Sequence, residues 1–307
     1  FRMGWGLFKK VVIADRLAFY VNDMYAHYNE VSGWTTWLGA FFFLLQVYCD
    51  FSGYSDLALG GAKVLGIDVM ENFRRPFFSK NLADFWTRWH ISLSTWLTDY
   101  VFFYLGAYKA KSAKVVFNVI FVLAICGLWH GANWPMVISF TMVGCAMAIR
   151  YLWQNNVVRA IRPSNTYKLF DKYFPDWAHS VVTILIFLFC FLLFRVYSAQ
   201  MALNAAHPEN PVSWTAIAAP LYGNLFKLHT ANYLTEWLLH KGTIQLGILV
   251  FFIVVLFVVE ALTGDRKIEQ VVLAKNRNFR WSIYIVLLAC IVWFGVFNNT
   301  TFVYFQY

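Results

Sequence analysis

The chain has 307 residues, of which 60% are hydrophobic and only 13% charged, against roughly 25% charged in an ordinary soluble domain. With a mean hydropathy of +0.54 this is a membrane composition, and the lipid bilayer is the first partner it implies. A net charge of +9 would point to nucleic acid in a soluble protein. Here the basic residues fall in loops between apolar runs, as the positive-inside rule produces, so no nucleic-acid partner is expected.

Phe1 opens a Gly/Trp/Lys stretch with no initiator and no signal-peptide layout, the pattern of a fragment lacking its N-terminal part. Val11 to Tyr20 carries Asp15 and Arg16 and predicts a half-length helix. Trp34 to Asp50 predicts the first membrane span, followed by a turn at Ser52–Asp56 where Ser55 or Asp56 caps a new helix. The stretch from Asp50 to Gly106 is too polar to cross lipid and too aromatic for an exposed loop, which predicts short interfacial or re-entrant helices. Ser79 and Asn81 ahead of Asp84 are a helix-start signal within it.

Val115 to Trp129 and Trp134 to Trp153 predict a hairpin of two spans, and Ser180 to Tyr197, Leu246 to Thr263 and Trp281 to Phe297 predict three more. Arg150, Arg159, Arg162, Lys168 and Lys172 mark one loop as cytoplasmic, and Arg266, Lys267, Lys275, Arg277 and Arg280 another. The basic stretch Lys63 to Lys114 falls on the same face, while Ser198 to Thr243 is external. No internal repeat appears, so one all-α, multi-pass domain over residues 1–307 is expected.

His130 stands inside the apolar run Cys126 to Trp134, and a titratable ring at membrane depth is usually kept for a reason. His90 is likewise boxed by Trp86, Trp89 and Trp96; His27, His179, His207, His229 and His240 lie in connectors or at span borders. Each boxed ring could be a buried histidine satisfied by a neighbouring carbonyl. Alternatively it is a general acid–base catalyst that takes a proton from a hydroxyl, with Asn133 steadying an oxyanion. No HxxxH or HExxH spacing supports a metal, and no P-loop or GxSxG elbow is present. The five cysteines read as small buried hydrophobes.

The blocks YCDFSGYSDLALG, ENFRRPFFSKNLADFWTRWHISLSTWLTDYVF and GLWHGANW, in that order, resemble the signatures of membrane-bound O-acyltransferases. FLLFRVYSAQMALNAA and the terminal FVYFQY are similar to the alginate O-acetyltransferase branch. The resemblance implies a ring of tilted helices around a central funnel, with His130 as catalytic histidine and His90 as its second recurrent histidine. Asn133, Trp129, Trp89, Asp50, Tyr54 and Arg88 are the candidate substrate-binding residues. It further implies a bacterial cytoplasmic membrane protein that passes acetyl from a cytoplasmic donor to an exported polysaccharide related to alginate, cellulose or peptidoglycan, through an extracytoplasmic partner protein. No tightly bound cofactor is expected; acetyl-CoA is the expected donor, and a face carrying Lys63, Arg74, Arg75, Lys80 and Arg88 suits its charge. Competing readings are a transporter or flippase with a histidine proton relay, and a D-alanyl transferase acting on teichoic acid.

Overall fold

A computed structural model describes residues 1–109, 111–158, 176–227, 235, 237–238, 240 and 242–297. Among them the backbone is helical with no β-strand; an isolated bridge joins Phe73 and Trp89. Arg159, Arg162, Lys168, Lys172, His229 and the FVYFQY block lie outside the described residues. Five described helices are long and apolar enough to cross a bilayer: Ser112–His130, Trp134–Asn155, Trp177–Ala206, Thr243–Thr263 and Arg277–Phe294. These match the hairpin and the three later spans expected from hydropathy, the last ending at Phe294 rather than Phe297. The chain is an all-α, multi-pass membrane protein.

Contacts divide the chain into two units. The first comprises Phe1–Glu71 and Ser198–Tyr307. Its N-terminal helix runs through α1 (Arg2–Phe8), a π-helical segment (Lys9–Ala14) and α2 (Asp15–Ala26), so the half-length helix expected at Val11–Tyr20 is the middle of a longer one. It packs on α3 (Gly33–Val64) where two glycines meet: a Cβ on Gly6 would sit 2.5 Å from the Gly53 carbonyl oxygen.

The wide π turn lets two consecutive lysines face α3. Lys9 Nζ reaches Asp56 Oδ2 at 2.8 Å and donates to Ser52 Oγ at 2.7 Å. Lys10 Nζ sits between Asp50 Oδ1 at 2.6 Å and Asp15 Oδ1 at 2.8 Å. Arg2 pairs with Asp56, Glu71 and Glu269.

Here the sequence expectation is corrected. α3 is one 32-residue helix capped at Ser32, whose hydroxyl accepts from Thr35 N, and it runs unbroken through Ser52–Asp56. Ser55 and Asp56 cap nothing; tertiary ion pairs hold Asp56 inside the helix. The stretch Trp34–Asp50 is only its first half, and α3 is not among the five apolar spans.

The two last spans of this unit present Val250, Phe251, Val254, Val258 and Leu262, and Ile285, Val286, Leu288, Val292 and Trp293, on exposed faces. Apolar surface of that extent belongs against lipid.

The second unit, Asn72–Tyr197, carries the region that was too polar for a span. It forms short helices, α4 (Leu82–Arg88) and α5 (Ile91–Leu97), ahead of the hairpin α6 (Ser112–His130) and α7 (Trp134–Leu152) and then α8 (Asp176–Phe191). Asn81 caps α4 by accepting from Asp84 N at 2.9 Å, as the sequence signal predicted. Glycines bring α6 and α7 together. A Cβ on Gly127 would lie 2.7 Å from Met136 O, and one on Gly144 3.0 Å from Ile120 Cα.

Candidate active site

His130 is the last residue of α6, at the tip of the hairpin. Asn133 starts α7, its Oδ1 accepting from Met136 N at 3.1 Å, and Pro135 sits in the first turn, where its missing N–H costs nothing. The turn is therefore only Gly131 and Ala132 between a helix end and a capped helix start. The His130 ring stacks on Phe140 nearly two turns into α7, with centroids 4.9 Å apart, and meets Phe194 edge to face at 5.5 Å. Two aromatic rings from different segments thus fix the orientation of this imidazole.

His90 lies between α4 and α5 and holds a left-handed backbone (φ 46°, ψ 55°). That conformation disfavours residues with a Cβ and persists only where surrounding bonds impose it. They come from the strap at Asn72–Arg74. Ile91 N donates to Asn72 O at 3.0 Å, and Arg74 N to Arg88 O at 2.9 Å. The Asn72 Oδ1 accepts from Ser92 Oγ at 2.6 Å and from Ser92 N at 3.2 Å. Ser92 Oγ in turn stands 3.5 Å from His90 Nδ1.

The outcome is a cluster of rings. His90 and His130 lie with centroids 6.2 Å apart at 68°, and Trp129 stands edge to face on both, at 5.8 Å and 4.9 Å. Trp129 is half exposed, so the pair sits beneath a ring open to the surroundings. Burial lowers the His90 pKa to about 4, which keeps this imidazole neutral at physiological pH.

The remaining sequence candidates separate. Asn133 is beside His130, its Oδ1 committed to the cap and its Nδ2 on the Gly131 side, 2.7 Å from where a Cβ on that glycine would stand. Trp89 points into an aromatic core, touching Phe73, Phe85, Phe187 and Phe191. Arg88 is paired with Asp84 at 2.8 Å. Asp50 and Tyr54 belong to the other unit, where Asp50 is buried against Lys10 and Tyr54 is exposed. Sequence reasoning missed Phe140, Phe194, Asn72 and Ser92. Phe194, Asn72 and Ser92 lay in blocks singled out for other reasons, and Phe140 did not. Among the described residues no group of three or more His, Cys, Asp or Glu gathers as a metal site.

The family described as membrane-bound O-acyltransferase matches residues 1–200. The chain is 38% identical over 198 residues to the probable alginate O-acetylase AlgI of Pseudomonas aeruginosa, covering 64% of this chain and 35% of that protein. It is 43% identical over 159 residues to the protein of the same name from Azotobacter vinelandii, covering 52% and 32%. To the peptidoglycan O-acetyltransferase of Helicobacter pylori it is 39% identical over 144 residues, covering 47% and 27%. The chain spans about a third of the length of the curated relatives first named.

Proposed function

The chain belongs to the membrane-bound O-acyltransferase family, and we propose that it transfers an acetyl group to a hydroxyl of an exported polysaccharide with His130 as general base. The observation that carries this reading is the pairing of His130 with His90 at the hairpin tip, under an open tryptophan. The relatives named for acetylation of alginate and of peptidoglycan support the acyl group and the polymer class. Family membership also favours this reading over a proton-relay transporter.

In the proposed step His130 takes the proton of an acceptor hydroxyl as its oxygen attacks the thioester carbonyl. Collapse of the tetrahedral intermediate forms the ester and expels the thiolate, which takes up the proton from the imidazolium. In this reading Asn133 Nδ2 donates to the oxyanion. His90, edge to face with His130, holds the second ring in place. The donor is acetyl-CoA, approaching from the hairpin end that carries Lys111, Lys114 and Arg150, which the positive-inside rule assigns to the cytoplasm of a bacterial cell. An extracytoplasmic partner protein receives or directs the acyl group. The test is acetyl transfer from radiolabelled acetyl-CoA by the full-length protein in lipid nanodiscs, with and without His130→Ala. Loss of polymer labelling with normal membrane insertion is expected; full labelling by the variant overturns the role of His130.

A further inference from the structure

The C-terminal end of α2, in the first unit, carries a stripe of mixed chemistry. Phe19, Asn22, Asp23 and Ala26 follow one another at helical spacings of three and four, so a ring, an amide, a carboxylate and a small residue share one face. Trp237 and His240 come from the connection before the span Thr243–Thr263, one turn apart, with His240 N donating to Trp237 O. Between the two segments opens a cavity of about 280 Å³, lined by these residues and by Tyr20.

Its back wall is rigid. Trp237 is buried, donates from Nε1 to Tyr20 O at 2.9 Å, and packs against the rings of Tyr20 and Phe42 at 5.8 and 5.6 Å. The buried Tyr20 hydroxyl has no hydrogen-bond partner among the described residues. Leaving such a group unmet costs stability, and a ligand hydroxyl at the wall removes that cost. The rim is polar and open. Asn22 and His240 are exposed, and Asp23 is half-buried beside His27, whose Nδ1 stands 3.5 Å from Asp23 Oδ1.

A sugar residue matches this set. Each of its hydroxyls both donates and accepts, which a carboxylate, an amide and an imidazole answer together. Its C–H face packs on aromatic rings, here those of Phe19 and Trp237. The volume, just below the roughly 300 Å³ at which drug-sized sites begin, suits one pyranose ring. Charge selects further. The lining holds one carboxylate and no lysine or arginine, so a uronate carboxylate meets repulsion from Asp23 and a neutral sugar does not. The connection Ser198–Thr243, which supplies Trp237 and His240, carries only Lys227 and Lys241 among lysines and arginines, and the positive-inside rule assigns such a connection to the outer face.

We infer that this cavity binds one neutral pyranose residue of the exported chain, with Asp23 and Asn22 holding its hydroxyls against the Phe19 and Trp237 rings, so that the first unit favours an uncharged polymer over a polyuronate. The inference rests on the polysaccharide reading of the acceptor. The sugar head of a glycolipid offers the same hydroxyls, and the experiment separates the two sources.

Full-length protein in phosphatidylcholine nanodiscs is titrated with cellotetraose, a neutral glucan, and with tetramannuronate, and binding is followed by saturation-transfer NMR on the ligand. Wild type should bind cellotetraose more tightly than tetramannuronate. Asp23→Ala should raise the Kd for cellotetraose about tenfold, as expected for one charge-assisted hydrogen bond. Asp23→Lys should reverse the preference by tightening tetramannuronate. Ala26→Phe, at an exposed helix position, fills the cavity and should abolish cellotetraose binding even if the Asp23 variants fold poorly. Cellotetraose affinity unchanged in all three variants overturns the site, and equal wild-type affinities for the two tetrasaccharides overturn the charge selection. A response to glucosyl diacylglycerol in the disc with none to cellotetraose makes this a lipid-head site and also overturns the inference. Transfer of radiolabelled acetyl to polymer is measured in parallel. Polymer labelling by wild-type protein that binds neither tetrasaccharide overturns the cavity alone, whereas binding without labelling upholds the cavity and overturns the acetyl-transfer reading.

Discussion

The His90 and His130 rings meet edge to face with centroids 6.2 Å apart, one from a strained turn between short helices and the other from the tip of a hairpin. Neither backbone is free to choose this arrangement. His130 is set by the helix end and by Phe140, and His90 by the strap that holds it at φ 46°.

The left-handed backbone decides which substitutions are informative. Asparagine tolerates that conformation and alanine does not, so His90→Asn removes the imidazole with little backbone penalty. His90→Asn should keep wild-type thermal stability and lose acetyl transfer. A general base contributes about 10²–10⁴-fold, so His130→Ala should fall by that factor or more. Full activity in His90→Asn would make His90 a structural residue.

Asn72 should matter to the site without touching it. Its Oδ1 accepts two hydrogen bonds from Ser92, next to His90. Asn72→Ala leaves those donors without that partner and should cost about 1–3 kcal/mol. Transfer rate at saturating donor should drop more in Asn72→Ala than in Ser92→Ala, which removes only the hydroxyl. Equal, wild-type rates in both would separate the strap from catalysis.

The sequence carried the parts of this arrangement that depend on local chemistry. The Gly127–Trp134 turn, the Asn81 cap and the break-up of residues 72–106 into short helices follow from glycine, asparagine and charge placement. Long-range contacts carried the rest. Ser52–Asp56 has the composition of a turn, yet it stays helical because Lys9 and Arg2 neutralise Asp56 from another helix. Trp89 stands next to a histidine in sequence, but its ring turns into the aromatic core with Phe85 and Phe187. Phe140 carries no signal at all until the hairpin folds it onto His130.

Gly127 and Gly131 should differ sharply although both flank His130. An alanine Cβ at position 127 would meet backbone, Met136 O at 2.7 Å and Val137 Cα at 2.9 Å. At position 131 it would meet side-chain ends rather than backbone, the Met136 Sδ at 2.6 Å and the Asn133 Nδ2 at 2.7 Å. Gly127→Ala should destabilise by about 1–3 kcal/mol and Gly131→Ala by less. Thermal exposure of the buried Cys126 thiol to a thiol-reactive dye reads both; equal melting curves would refute the close helix approach.

Lys10 holds two buried carboxylates, Asp50 and Asp15. Burial works against its charge, but Asp50 and Asp15 outweigh that and leave its pKa raised, so it remains a cation. Lys10→Met strands the carboxylates and should cost about 3–5 kcal/mol, whereas Lys10→Met with Asp50→Asn should recover part of it. If the single variant melts like wild type, the pair contributes nothing to stability. If Asp50→Asn alone abolishes transfer at normal stability, Asp50 acts on substrate after all.

Acid should act on this protein partly through His90. Its imidazole titrates near 6.5 in an unfolded chain and at about 4 when folded, because burial disfavours the cation. The unfolded state therefore binds the extra proton between those values, and stability falls as pH drops through that window. Above about pH 6.5 both states are neutral there and the contribution vanishes. His90→Asn removes this site, so its melting temperature should decline less than that of wild type between pH 7 and 4.5. Parallel decline of the two proteins would show that protonation of His90 is not coupled to unfolding.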